Sequence, residues 1–171
     1  MKENLYSNCI RTFTGKYIDV FNPDPEMICI EDIAHALAQT PRFGGHLKHF
    51  YSVAHHSMHC SELVRNDKLA ALMHDASEAY LTDMPRPIKM QMPQYREVED
   101  RLMTVISKKF GFQYPLSKEV KIADENALSY EWNILMINGL KSYIIDAEAE
   151  FIRYFEKYKY LTINSSNYLN M

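Results

Sequence analysis

The stretch DKLAALMHDASEAY (67–80) decides how the chain is read. Its apolar residues Leu69, Leu72, Met73, Ala76, Ala79 and Tyr80 recur every three or four positions, the repeat that lines one face of an α-helix. Asp67 stands where a helix N-cap belongs. Upstream, Ser52 to about Arg65 predicts a second helix with Val53, His56, Cys60, Leu63 and Val64 on one face. Residues 31–39 predict a short helix that ends before Pro41, and 41–46 (PRFGGH) a loop, because paired glycines disfavour helix. Downstream, the proline-rich residues 82–93 predict a loop, and 95–110 an amphipathic helix (Val98, Leu102, Val105, Ile106) stopped by Gly111. A long helix is expected from about Ser117 to Asn138, with Val120, Ala127, Glu131 and Leu135 near one stripe. A last one covers about 142–158 through Ala147, Phe151, Tyr154, Phe155 and Tyr158. Residues 1–29 read as irregular or extended, with a turn at Asn22–Pro25. No alternating strand follows residue 30, so the expected architecture is an all-α bundle of five to seven helices.

Composition narrows the class. The chain has 171 residues, 47% hydrophobic and 24% charged, with a formal net charge of −3. That balance excludes a mainly disordered chain, and the length suits one domain over 1–171. The mild negative charge excludes a broad electrostatic footprint for a nucleic-acid polymer or an anionic membrane, while leaving room for one local phosphate pocket. No apolar run approaches the ~20 residues needed to span a bilayer. The start, Met1-Lys2-Glu3-Asn4, lacks the pattern of a signal peptide. Cys9, Cys29 and Cys60 are scattered, without CxxC spacing, which fits a reducing, cytoplasmic setting. Five of the seven histidines fall between positions 46 and 59, and composition alone does not explain them.

Polar residues on or beside apolar helix faces carry the chemical signal. His56 lies in the core stripe of its helix, His74 and Asp75 sit mid-helix after Leu72-Met73, and Asp124 falls on the Val120/Ala127 stripe. Buried imidazoles and carboxylates are costly unless paired or bound to a cation. Two His and two Asp from three helices would make a four-ligand site. On a regular helix His74 and Asp75 would point about 100° apart, yet both could reach one ion at its flank. Mixed N and O donors suit Mn²⁺, Co²⁺, Fe²⁺ or Zn²⁺ better than Ca²⁺, with Mg²⁺ also in range. Such an ion lowers the pKa of water and polarises a phosphoryl oxygen. Glu78, one helical turn after His74, suits a general acid or base. Asp83 follows just beyond the helix end and could orient water or a substrate hydroxyl. Arg42 and Lys89 are loop cations suited to phosphate.

With these residues in place, the sequence resembles the HD-domain phosphohydrolases. The matching segments are SVAHHS (52–57), LMHDASEAYLTDMPRPIK (72–89) and KIADENAL (121–128), and PRFGGHLKHFYSVAHHS (41–57) resembles the branch that acts on deoxynucleotides. The likeness runs from about residue 30 to 128. It implies His56, His74, Asp75 and Asp124 as metal ligands, Glu78 and Asp83 as catalytic groups, and Arg42 and Lys89 as phosphate contacts. It also implies Phe43 as an aromatic wall against the nucleoside. The substrate implied is a small-molecule deoxynucleotide, most directly a triphosphate such as dATP. The alternatives are a 5′-deoxynucleotidase acting on monophosphates, an enzyme of alarmones or cyclic dinucleotides, and a catalytically silent nucleotide-binding regulator. A homo-oligomer is implied as well. His55 stands where the monophosphatases carry Glu, which tilts the reading towards triphosphates.

Blander readings compete for some of these residues. A lone buried His is usually a hydrogen-bonded core residue, but HDASE and Asp124 at matching positions favour ligation by His56. His55 and His59 share i,i+4 spacing without the glutamate of an HExxH motif, so a solvated helix face is expected for them. His35, His46 and His49 receive no role. The tyrosines Tyr143, Tyr154, Tyr158, Tyr160 and Tyr168 are expected in helix packing or a subunit contact.

Overall fold

A computed structural model describes residues 8–141 and 146–168, with side chains through residue 163. The described residues form eight α-helices: α1 (Ile30–Gln39), α2 (Val53–Leu63), α3 (Lys68–Leu72), α4 (Glu78–Leu81), α5 (Arg86–Lys89), α6 (Pro93–Phe110), α7 (Lys118–Glu131) and α8 (Ala147–Tyr168). Two short antiparallel strands, β1 (Ile10–Arg11) and β2 (Tyr17–Ile18), pair Ile10 with Ile18 ahead of the bundle. The chain is the all-α bundle its periodicity predicts. Asp32, in the first turn of α1, ties the strand pair down by accepting from the Thr14 N–H at 2.7 Å and the Thr14 hydroxyl at 2.9 Å.

α2 is the central helix and packs on α1, α3, α7 and α8. It starts with a capping box: Ser52 accepts from the His55 N–H while the His55 ring receives the Ser52 N–H. An imidazole thus takes the role usually filled by Glu or Gln. Val53, His56 and Cys60 are fully buried and Val64 nearly so, as the stripe predicts. Leu63 departs from it, at 47% exposure in the last turn. The expected stripes of α6, α7 and α8 are likewise inside, through Leu102 and Ile106, Val120 and Ala127, and Phe151 and Tyr158. Gly111 closes α6 in the left-handed conformation (φ 74°) that glycine adopts without strain.

Several expectations need correction. The single helix over 67–80 is broken into α3 and α4. The His74 ring takes the Ala71 carbonyl at 2.8 Å, and the backbone between the helices closes i→i+3 turns, Ala76 N–H to Met73 at 3.0 Å and Glu78 N–H to Asp75 at 2.9 Å. Asp67 does stand at the start of α3, but its backbone is left-handed (φ 43°) and its carboxylate makes no capping bond. The expected loop over 82–93 contains α5. Pro87 sits in the first turn of that helix, where the missing N–H costs nothing. The split and α5 together raise the count from five to seven helices to eight. The helix expected over 117–138 is regular to Glu131 and then widens into a π-helical turn, Trp132–Ile137. Residues 142–145, the start of the expected last helix, and the Tyr143 and Tyr168 side chains lie outside the described residues.

Candidate metal centre and pocket

The bundle gathers polar side chains from α2, the α3–α4 break and α7. The His56 Nε2 lies 3.1 Å from Asp124 Oδ1 and 3.8 Å from Asp75 Oδ2, and the His74 Nε2 lies 3.1 Å from Asp75 Oδ2 and 3.7 Å from Asp124 Oδ1. All four residues singled out as ligands from the sequence therefore converge. The structure adds Cys60: ligand atoms of His56, Cys60, His74 and Asp124 all lie within 4.8 Å of one another, a group able to hold a metal ion.

Each histidine is oriented from behind. The His56 Nδ1 lies 2.9 Å from Glu131 Oε1, and the His74 Nδ1 2.8 Å from the Ala71 carbonyl. A carboxylate and a carbonyl only accept here, so both Nδ1 atoms carry a proton, and each ring, once an ion displaces the proton on its Nε2, turns a lone pair there towards the cluster. The His74 Nε2 is buried and makes no hydrogen bond, despite its nearness to the two carboxylates. Two inward lone pairs facing carboxylates and a thiol form a donor set that calls for a cation. Metal binding thus fits the residues present.

Glu131 anchors the rear of the centre. It is 1% exposed and accepts from the Tyr51 hydroxyl at 2.9 Å, while Arg42 Nη2 and His59 Nδ1 each lie 3.6 Å from it. Burial opposes its charge, but the bonds to His56 and His59 win and hold its pKa at about 2. Burial likewise opposes charge on His56 and His74. Hydrogen bonds to Asp124, Cys60 and Glu131 outweigh it for His56, and the Asp75 charge and Asp124 do so for His74, so both titrate well above the ordinary range. Asp75 and Asp124 are held well below theirs, because the imidazoles offset the cost of burial. Without a metal ion, protons on the imidazoles supply the positive charge that the carboxylates demand.

In front of the cluster opens a cavity of about 670 Å³. It is lined by the charged Asp75, Asp124, Glu78, Asp83, Arg42 and Lys89 and by the apolar Phe43, Leu128 and Trp132. Arg42 lies 3.6 Å from Asp83 and 4.0 Å from Asp75. Lys89 Nζ lies 3.6 Å from Glu78. Glu78 is 4% exposed, and its Oε2 has no hydrogen-bond partner. Burial first, then the charges of Asp75 and Asp83, push its pKa well above the usual carboxylate range despite Lys89. Burial raises Asp83 as well, against the pull of Arg42.

The loop that delivers Arg42 and Phe43 is closed at its base, where Pro41 bridges Ser52 and the Arg42 N–H donates to the Tyr51 carbonyl at 2.9 Å. Inside it Phe43 and Gly44 are both left-handed (φ 55° and 59°). That conformation is costly for a phenylalanine and tends to persist where a site needs it. The Phe43 ring lies 6.0 Å from the Trp132 ring across the mouth of the cavity.

His55 departs from its expected solvated face. It is 5% exposed, occupied by the capping box and stacked on Tyr51 at 5.0 Å. His59 is half-buried beside Glu131. His46, given no role from the sequence, lines the cavity. Cys60, Glu131 and Trp132 escaped the sequence reading. Cys60 follows His56 by four residues, a donor spacing that was legible. Glu131 is a charge inside an apolar stripe, the same signal that picked out Asp124. Trp132 follows Asp124 and Leu128 at four-residue spacing on α7, a stripe that was legible too.

Fold and site thus define an all-α bundle with a buried candidate metal centre at the foot of an open cavity. No protein-family model matches the chain. The chain belongs to the family of the uncharacterized protein YfdR of Escherichia coli: the two are 46% identical over 125 residues, covering 71% of this chain and 69% of YfdR. An uncharacterized protein of Rhodobacter capsulatus is 37% identical over 129 residues, covering 67% of this chain and 66% of that protein. No helix among the described residues is long and apolar enough to cross a membrane.

Proposed function

We propose that the chain is a metal-dependent phosphohydrolase of 2′-deoxynucleotides, of the HD-domain type, acting first on a triphosphate such as dATP. The observation that supports this most is the joining, in one cavity, of an oriented His/His/Asp donor group with Glu78, two cations and an aromatic pair. A nucleotide needs all of these: a charged floor for phosphate and an apolar wall for the base.

His56, His74, Asp124 and Asp75 would hold the ion, with Mn²⁺, Co²⁺, Zn²⁺, Fe²⁺ and Mg²⁺ as candidates. A divalent ion supplies Lewis acidity towards a phosphoryl oxygen and an activated water. Arg42 presents its guanidinium to the phosphate, steadied by Asp83 and Glu131. Glu78, whose pKa is raised by its burial and its acidic neighbours, would hold a proton near the leaving oxygen, with Lys89 beside its carboxyl. Asp83 orients the attacking water or the sugar hydroxyl. Phe43 and Trp132 embrace the base and exclude water there.

One observation favours the monophosphate reading. Lys89 is committed to Glu78 and Glu99, and Arg42 to Asp83 and Glu131, which leaves little free cationic surface for a long phosphate chain. Product analysis separates the two. Chromatography of a panel of dNTPs, dNMPs and their ribose counterparts, with Mn²⁺, Co²⁺ or Zn²⁺, should show triphosphate or pyrophosphate released from dATP. Orthophosphate from dAMP alone would select the 5′-deoxynucleotidase. Hydrolysis of no deoxynucleotide under any of these metals would defeat the proposal, and binding without hydrolysis would point to a regulator. A homo-oligomer belongs to the same proposal and is read by light scattering.

A further inference from the structure

We infer that Cys60 is itself a metal ligand, and that the centre therefore selects a borderline-soft dication, Zn²⁺, Co²⁺ or Fe²⁺, over Mg²⁺, Mn²⁺ or Ca²⁺. This rests on the metal centre proposed above and names the class of ion it takes. His56 and Cys60 are four residues apart on α2, so their side chains share a face one turn apart. Both are fully buried, and the Cys60 Sγ lies 3.5 Å from the His56 Nε2. Tetrahedral coordination, with metal–nitrogen bonds of about 2.0–2.1 Å and metal–sulfur bonds of about 2.3 Å, separates those two donors by about 3.5 Å.

A lone buried cysteine would pass as a small core residue. Here a second observation points to a ligand: the buried His74 Nε2 makes no hydrogen bond, and it belongs to the same group of ligand atoms within 4.8 Å. The two imidazole Nε2 atoms and the sulfur converge on one point, and a cation that displaces their protons answers all three.

Charge and topology agree. A thiolate adds a negative charge that a dication offsets, which suits a donor as buried as Cys60. Cys60, His56 and His74 lie behind the cavity, whereas Asp75 and Asp124 line it. Sulfur thus closes the protein side, and the open side, where Asp75 and Asp124 stand, faces the substrate. Thiolate donors favour Zn²⁺, Co²⁺ and Fe²⁺ over the hard, oxygen-seeking Mg²⁺ and Ca²⁺. Binding releases the thiol proton to solvent, so uptake also acidifies an unbuffered solution.

Cobalt provides the test, since it reports its own ligands. Metal-stripped protein titrated with Co²⁺ under reducing, anaerobic conditions should develop visible d–d bands together with an intense near-ultraviolet thiolate-to-cobalt charge-transfer band. Cys60→Ser should keep the d–d bands and lose the charge-transfer band. Its Zn²⁺ affinity should fall by roughly 10–100-fold, a scale that even the loss of an outer-shell partner can reach. Should Cys60→Ser fold poorly, the double variant Cys9→Ser/Cys29→Ser leaves Cys60 as the sole thiol and must retain the band. Visible bands without charge transfer, or a charge-transfer band that survives in Cys60→Ser, would overturn the role of Cys60 while leaving the metal centre standing. No cobalt uptake at all would remove both.

Discussion

Two of the three segments that supply the candidate metal centre are built in opposite ways. α2 is continuous from Val53 to Leu63 and is capped at its start by Ser52 and His55. A regular helix offers donors on one face only at spacings of three or four, and α2 offers His56 and Cys60. The segment 68–81 is interrupted between α3 and α4, and it offers His74 and Asp75, which are adjacent. Neighbours on an unbroken helix diverge by about 100°. The break, with the His74 ring in place of a backbone donor on the Ala71 carbonyl, lets the His74 Nε2 and the Asp75 carboxylate meet at 3.1 Å. The regular helix places the closed rear of the centre, and the irregular segment places its reactive front.

The harshest way to break this contrast is to delete the interrupting side chain. His74→Ala should abolish both metal content, read by elemental analysis, and turnover, read on the nucleotide panel. Global stability should change little, because the Ala71 carbonyl becomes free to accept the Asp75 N–H of a repaired helix. Asp75→Ala should also lose activity, without any gain in helix. A His74→Ala protein that retains full metal occupancy would remove His74 from the ligand set.

Glu78, at the first turn of α4, tests the chemistry of the irregular segment. Glu78→Gln should keep the metal and slow turnover by roughly 10²–10⁴-fold, the scale of general acid–base catalysis. The same change should stabilise the fold at neutral pH. The folded protein holds the Glu78 proton more tightly than the unfolded chain does, whose carboxyl titrates near an ordinary value of about 4.3. The cost of folding with this group therefore begins as the pH rises above that value, and it grows until the raised folded pKa is passed. Urea midpoints of the wild type relative to Glu78→Gln should fall steadily as the pH goes from 5 to 8. A constant difference over that range would show that Glu78 is ionised throughout.

The same contrast explains what could be read from the sequence. Stripes of period 3.6 gave α1, α2 and α6 to within about two residues, and the start of α7, because apolar burial dictates helical registry directly. His56 and Asp124 were legible as polar interruptions of those stripes. The break at His74-Asp75 was not, since a periodic apolar pattern runs straight through it and the side-chain bond to Ala71 has no local signature. Glu131 followed the rule that identified Asp124, yet its role needs Tyr51, His56 and Arg42, which come from other parts of the chain. Trp132 reaches the cavity on the α7 face of Asp124 and Leu128, but what it faces there, Phe43, comes from a distant loop.

Glu131 probes the regular side. Glu131→Ala leaves the His56 Nδ1–H, the Tyr51 hydroxyl and one edge of Arg42 facing an empty space in the interior. The loss of a buried charged partner costs about 3–5 kcal/mol, and for a chain of this size that lowers Tm by roughly 10 °C. Glu131→Gln keeps an acceptor and should lose less. Calorimetry and urea unfolding read both variants. An unchanged Tm in Glu131→Ala would mean that α2 does not depend on this anchor, and the contrast with the broken segment would weaken.

The finest comparison is between the two helix starts. Ser52 caps α2 through its side chain, and the reciprocal bond from His55 makes the start doubly held. Asp67 opens α3 in a left-handed conformation without any capping bond. Ser52→Ala should therefore cost about 1 kcal/mol, the usual value of an N-cap. Asp67→Gly should be close to neutral, within about 0.5 kcal/mol, because glycine accepts φ 43° freely and offsets the entropy it adds to the unfolded chain. Chemical denaturation of the two variants side by side decides the matter. Equal losses would mean that Asp67 does cap α3 in solution. The broken segment would then be held at its start in the same manner as the regular helix, and the irregularity would be confined to the five residues 73–77 between α3 and α4.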